Sequence, residues 1–145
     1  MLLDAHSRRV VGWALADHLR AELATDALAM ALGRRRPAAG LVHHTDRGGQ
    51  YTATAYQSCL ATHGITCSMS RAGECLDNAM AESFFSTLKA ELVEAHHWPT
   101  RAAARLAIFE WLEVWYNRRR RHSALAYRSP VDFEKQLLLL CPQAA

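Results

Sequence analysis

After two opening β-type segments, this chain alternates helix-period with strand-period stretches, and that alternation constrains its fold more than any other feature. Met1 to Asp4 is apolar and strand-like, and His6-Ser7-Arg8 makes a turn. Arg9 to Ala16 then carries the β-formers Val10, Val11 and Trp13. Together these predict a hairpin. Leu19 to Arg35 places Leu23, Ala27, Met30 and Ala31 at helical spacing, closed by Gly33 and Pro37. A short strand over Leu41 to His44 runs into a loop, and Thr54 is the expected cap of a helix holding Tyr56, Leu60 and Ala61. Ile65 to Met69 reads as a fourth strand. Asp77 or Asn78 should cap the next helix, whose core stripe is Phe84, Leu88 and Leu92. Pro99-Thr100 opens a last long helix with Leu106, Phe109, Leu112 and Trp115-Tyr116 facing inward, and Ser129-Pro130 starts a short final one. The order β-β-α-β-α-β-α-α is an α/β layout, without internal repeat or linker.

A chain of 145 residues with half of them apolar is one domain with enough material for one core. Its net charge of +3 says little, but the distribution says more. Between Asn117 and Lys135 six basic residues face two acidic ones, an excess above that of the whole chain. Such a segment reads as a polyanion-binding surface or as a solvated helix end. Cys59, Cys67, Cys75 and Cys141 form no Cys-x-x-Cys pair, and the doublets His43-His44 and His96-His97 lack zinc-ligand spacing, so buried reduced thiols in a cytoplasmic protein are expected. No signal peptide or membrane-length apolar stretch is visible, which points away from the membrane.

Two acidic residues stand where metal-dependent phosphoryl transfer would use them. Asp46 lies in His43-His44-Thr45-Asp46-Arg47-Gly48-Gly49-Gln50-Tyr51, at a strand tip, and Glu82 follows after 35 intervening residues near the start of a helix. Carboxylates on rigid elements can hold divalent ions that stabilise attacking and leaving oxygens. Asn78, Ser86 and Lys89 share nearly one helix face with Glu82, a polar stripe in which Lys89 can meet a phosphate. Each acid also has a plainer role: Asp46 as a turn residue, Glu82 as a carboxylate favoured at a helix start.

The surroundings of these acids resemble a family. Leu3-Asp4-Ala5-His6-Ser7-Arg8-Arg9-Val10-Val11-Gly12-Trp13, His44-Thr45-Asp46-Arg47-Gly48-Gly49-Gln50-Tyr51, Asp77-Asn78-Ala79-Met80-Ala81-Glu82-Ser83-Phe84-Phe85-Ser86-Thr87-Leu88-Lys89, and Tyr116-Asn117-Arg118 through His122-Ser123-Ala124-Leu125 are similar to the integrase core of bacterial insertion-sequence transposases. The nearest likeness is to the OrfB half of insertion-sequence family three, kin to retroviral integrases. It covers nearly all of residues 1–135, leaving 136–145 as a tail. The resemblance implies a ribonuclease H-like fold (a mixed sheet flanked by helices), two Mg²⁺ or Mn²⁺ ions, and DNA cleavage and strand transfer through an Asp-Asp-Glu triad. Asp46 matches the second Asp and Glu82 the Glu. Implied partners are insertion-sequence ends and target DNA, with a homo-oligomer or a full-length transposase.

The first catalytic Asp of that family lies on its first, central strand, upstream of the present residues. Asp4 matches instead the Asp of a Leu-Asp-x-x-Ser-Arg motif on the second strand, which is not catalytic. The expectation is therefore an integrase core lacking its first strand, inactive in strand transfer on its own, with exposed strand edges and marginal stability. The alternative is a non-catalytic DNA-binding or oligomerising fragment that regulates a full-length transposase. Arg118, Arg119, Arg120, Arg121 and Arg128, following an amphipathic helix, are expected to contact the DNA backbone.

Overall fold

The structure, a computed structural model, describes residues 1–18, 20–69 and 79–140. Among the described residues four strands, six α-helices and shorter helical turns follow in an order that matches the expected alternation. Strands β1 (Leu2–Leu3) and β2 (Val10–Gly12) pair as a hairpin, while β3 (Val42–Thr45) and β4 (Thr66–Met69) pair parallel, with Val42 opposite Thr66 and Thr45 opposite Met69. Among the described residues these are two separate two-stranded sheets. The chain divides into two compact units, Met1–Leu2 with Val11–Leu88 and Leu3–Val10 with Lys89–Ala145, so that the division falls within the hairpin.

In the first unit, β2 is followed by α1 (Ala21–Arg35). Gly12 permits their close approach, because a Cβ there would stand 2.1 Å from the Ala27 backbone oxygen and 2.8 Å from Ala31 Cβ. Helix α1 runs through Gly33, and Arg36 ends it in the left-handed region at φ 44° with its N–H on the Leu32 carbonyl. Between β3 and β4 lie a single turn, α2 (Gly49–Thr52), and then α3 (Thr54–Thr62). Thr54 is the first residue of α3 and not its cap: Ala53 holds that place and makes no side-chain capping bond. Leu28, Tyr56, Leu60 and Ile65 form the core, with Leu2, Leu32, Tyr51, Cys59 and Cys67 packed against it. Cys59 and Cys67 are free and half-buried, less enclosed than expected; Cys75 and Cys141 lie outside the described residues. Strand β3 runs one residue later than the expected Leu41 to His44. Leu41 and Val42 are 49% and 47% exposed, and the half-buried His43 and Thr45 take the inward register.

Helix α4 (Ala79–Leu88) closes the first unit, with Phe84 buried. The expected cap at Asp77 or Asn78 lies outside the described residues.

Beyond Leu3–Val10, the second unit runs from a π-helical stretch, Lys89–Val93, into α5 (Arg101–Glu110), capped by Thr100, whose hydroxyl accepts from Ala103 N at 3.1 Å. The helix then passes into a second π-helical stretch, Trp111–Tyr116. That change of pitch corrects the expected inward face. Leu106 and Phe109 are exposed at 59% and 44%, as is Trp115, whereas Trp111, Leu112 and Tyr116 are buried. A π turn takes more residues than an α turn, so an apolar stripe counted at 3.6 residues per turn loses phase across it. Ser129 caps the last helix, α6 (Pro130–Leu140), accepting from Asp132 N at 3.2 Å and donating to Asp132 Oδ2 at 2.7 Å.

Candidate active site

Asp46 follows the last residue of β3, at the carboxyl end of a parallel strand, where open α/β sheets present ligand-binding loops. Its exposed carboxylate accepts a hydrogen bond from Gly48 N through Oδ1 at 2.8 Å. The strand beneath is anchored from the helical side. His43 Nε2 and Tyr56 Oη are 2.8 Å apart, and Tyr56 is fully buried. Burial, with the charge of His44 second, lowers the His43 pKa, and burial raises that of the Tyr56 hydroxyl, so both groups are neutral at pH 7. Gln57 adds a tie, donating through Nε2 to the Tyr51 carbonyl at 2.6 Å and meeting Cys67 Sγ on β4 at 3.5 Å.

Glu82 lies in the first turn of α4, exposed, in the same unit as Asp46. Among the described residues no hydrogen bond or ion pair engages it. Ser86 is exposed on the same helix, Lys89 is exposed at the start of the π-helical stretch, and Asn78 lies outside the described residues. Carboxylate oxygens are the donors a hard dication takes, and both acids carry oxygen not committed to structure, so their chemistry fits Mg²⁺ or Mn²⁺. Among the described residues, however, no three His, Cys, Asp or Glu side chains gather into one metal-ligating group.

Asp4 behaves differently. Its Oδ1 accepts from His6 N at 3.0 Å and Ser7 N at 2.9 Å, fixing the hairpin turn. That engagement fits the structural part that the sequence motif implied.

The arginine run divides in two. Arg118, Arg119 and Arg121 are exposed, and among the described residues no side-chain bond holds them. Arg120 turns inward, its Nη2 2.8 Å from Glu91 Oε1, and Trp115 Nε1 donates to the other Glu91 oxygen at 3.3 Å. Arg128 is exposed, with its backbone bridged to His122. Burial, then the charges of Arg120 and Arg8, lowers the His122 pKa; burial is also the main reason the Tyr116 hydroxyl is pushed up to about 12.

Asn117, part of the Tyr116-Asn117-Arg118 motif, has a role that its sequence context did not assign. It is 2% exposed, accepts from Val10 N at 2.9 Å and donates to Val10 O at 3.0 Å. The signal was available: an amide directly after Tyr116, on a helix whose buried positions are otherwise apolar. The His43–Tyr56 bond left no such trace, since nothing in the spacing of the two residues pairs them.

Asp46 at a parallel strand tip and Glu82 on a later helix thus sit in a mixed α/β fold. The integrase core domain matches residues 1–75 and, in a second form, residues 63–130. The chain belongs to the integrase core family. Over 133 residues it is 47% identical to the transposase for insertion sequence element IS904 of Lactococcus lactis subsp. lactis (strain IL1403), covering 92% of this chain and 53% of that one. It is 45% identical over 138 residues to transposase InsF for insertion sequence IS3fB of Escherichia coli (strain K12), covering 95% and 48%. The chain thus spans about half the length of these curated relatives. In fold it is similar to a chain of the simian T-cell lymphotropic virus intasome, solved by cryo-electron microscopy in complex with PP2A regulatory subunit B56 gamma. The TM-score is 0.63 at 15% identity, over 81% of this chain and 41% of that one. The architecture is the mixed α/β, ribonuclease H-like arrangement of integrase cores. No helix among the described residues is long and apolar enough to cross a membrane.

Proposed function

We propose that this chain is the DNA-processing core of an insertion-sequence transposase, with Asp46 and Glu82 as carboxylate ligands for Mg²⁺ or Mn²⁺. The observation that carries the reading is Asp46 itself, at the tip of a parallel strand with Oδ1 held by Gly48 N, in a segment matched by the integrase core. Bound divalent ions would stabilise charge on the attacking and leaving oxygens of a phosphodiester. This chain's own part is to hold one Asp46 oxygen still, leave the other facing solvent, and present Glu82 from a helix. Lys89, Ser86 and Asn78, with Arg118, Arg119, Arg121 and Arg128, are the proposed contacts to DNA phosphates; Arg120 supports its neighbours through Glu91.

The test is nicking of a labelled terminal-repeat duplex with Mn²⁺. It compares this chain with a longer one that adds the family's first strand with its catalytic Asp. Asp46→Asn and Glu82→Gln should each abolish nicking by the longer chain while DNA binding stays within about twofold, because they remove ligands and no basic contact. Nicking that survives either change would refute the assignment. A second reading, a non-catalytic DNA-binding or oligomerising partner of a full-length transposase, is supported by the exposed Arg118, Arg119 and Arg121, which need no metal to meet phosphates. It predicts DNA binding by this chain without nicking, and inhibition when it is mixed with the longer chain.

A further inference from the structure

The loop after β3 contains two adjacent glycines that are not equivalent. A Cβ built on Gly48 would stand 2.6 Å from Gln50 Nε2 and 2.9 Å from Asp46 Oδ1, whereas one on Gly49 would meet nothing within 4 Å. Backbone conformation does not demand glycine at 48, since φ −57° and ψ 142° suit any L-residue. The atoms a methyl group would strike are the ends of two movable side chains. The fold can therefore accept the methyl by letting Gln50 and Asp46 swing aside. What it cannot keep is the Asp46 carboxylate where it now lies.

We infer that Gly48 is a positioning residue for Asp46: its N–H holds Oδ1 at 2.8 Å, and its missing side chain leaves the room that this carboxylate and the Gln50 amide occupy. The inference rests on the reading of Asp46 as a metal ligand. Gln50 is followed directly by Tyr51 in the same short helix. The Tyr51 ring meets Tyr56 edge-on at 5.5 Å, and Tyr56 returns to β3 through His43. The free carboxylate oxygen is thus aimed by a short loop braced against the core, and a methyl at position 48 would re-aim it.

The experiment compares the parent chain with Gly48→Ala, Gly49→Ala and Asp46→Asn. Three quantities are measured: the thermal midpoint, Mn²⁺ affinity from the free-ion EPR signal, and the metal-free ¹³Cγ resonance of Asp46. Gly48→Ala should leave the midpoint nearly unchanged, move the resonance, and weaken Mn²⁺ binding by about tenfold or more, the scale of losing a group that orients a ligand. Gly49→Ala should match the parent in all three. An unmoved resonance with unchanged affinity in Gly48→Ala, or an equal loss in Gly49→Ala, overturns the inference. Parent-like Mn²⁺ binding by Asp46→Asn would instead overturn the reading of Asp46 as a ligand, while the resonance still decides what Gly48 does. Should Gly48→Ala melt early, Gly48→Ala with Gln50→Ala relieves the 2.6 Å contact but not the 2.9 Å one. It should recover stability without recovering affinity relative to Gln50→Ala alone, and recovery of both would count against the proposal.

Discussion

The two units use their acidic and amide side chains differently. In the second, several are committed to structure, although Arg118, Arg119 and Arg121 of that unit stay exposed and, among the described residues, unengaged. Glu134 accepts from Ser7 Oγ and pairs with Arg9, both at 2.6 Å; Glu91 is held by Arg120 and Trp115; Asn117 is bound twice to Val10. In the first, Glu82 is exposed and among the described residues unengaged, and Asp46 commits one oxygen to a two-residue turn. Here the committed polar groups, His43, Tyr56 and Gln57, lie behind the acid and brace the strand and helices that carry it. A group that must meet a ligand cannot also be spent on the fold, so the contrast separates candidate chemistry from scaffold.

The contrast breaks most visibly at Asn117. Asn117→Ala strands a buried N–H and a buried carbonyl at Val10, and at about 1–3 kcal/mol each the expected loss is roughly 2–5 kcal/mol by urea denaturation. A loss under about 1 kcal/mol would show that the second unit does not depend on its polar pairs. Next comes one chemical change made in both units. Glu134→Gln should cost about 1–2 kcal/mol, since a mostly buried carboxylate loses its charge beside Arg9 and Ser7. Glu82→Gln should leave the midpoint unmoved and reduce Mn²⁺ binding. Equal effects on stability would erase the distinction.

Acid should act on both units. The pKa values of His43 and His122 are lowered in the folded state mainly by burial, so the unfolded chain binds protons first as pH falls. Their cost is absent above the ordinary histidine pKa of about 6.5 and grows below it, until the folded-state values are reached. Denaturation at pH 7.5 and 5.5 should show the drop, and His43→Gln with His122→Gln should reduce it. A pH-independent midpoint would exclude both histidines as sources. The smallest expected effect sharpens the arginine run. Arg119→Ala should lower the slope of log affinity against log salt for duplex DNA by about one unit. Arg120→Ala should lower stability more than that slope, because Arg120 is held by Glu91. Equal slopes for the two variants would mean that the ion pair opens when DNA binds.

Much of this was legible in the sequence because it rests on local rules. The alternation of strands and helices, the helix starts at Pro99-Thr100 and Ser129-Pro130, and the acids at a strand tip and a helix start all follow from short-range geometry. What was not legible depends on long-range or collective effects. The inward register of His43 depends on Tyr56, thirteen residues away, which offers a partner that the apolar Val42 cannot use. The outward faces of Leu106, Phe109 and Trp115 depend on where a helix changes pitch, which an average periodicity cannot locate. Arg120 looked like its neighbours until Glu91, 29 positions earlier, turned it inward. Gly48 carried a turn signal, but its contact with the Asp46 carboxylate is a matter of tenths of an ångström.

The Asn117 amide has one more consequence. Just before β2 the Arg9 carbonyl bonds Asp4 N across the hairpin, so the N–H and C=O of Val10, the first residue of β2, point the opposite way, along the strand's outer rim. Asn117 offers that rim one acceptor and one donor, the same pair an adjoining strand would bring. A side chain thereby occupies the place of a neighbour, and no foreign strand can zip onto β2 at Val10 without first evicting it. An open rim is an invitation to self-association. This one is plugged by a single amide, and losing it should leave the protein stickier as well as weaker.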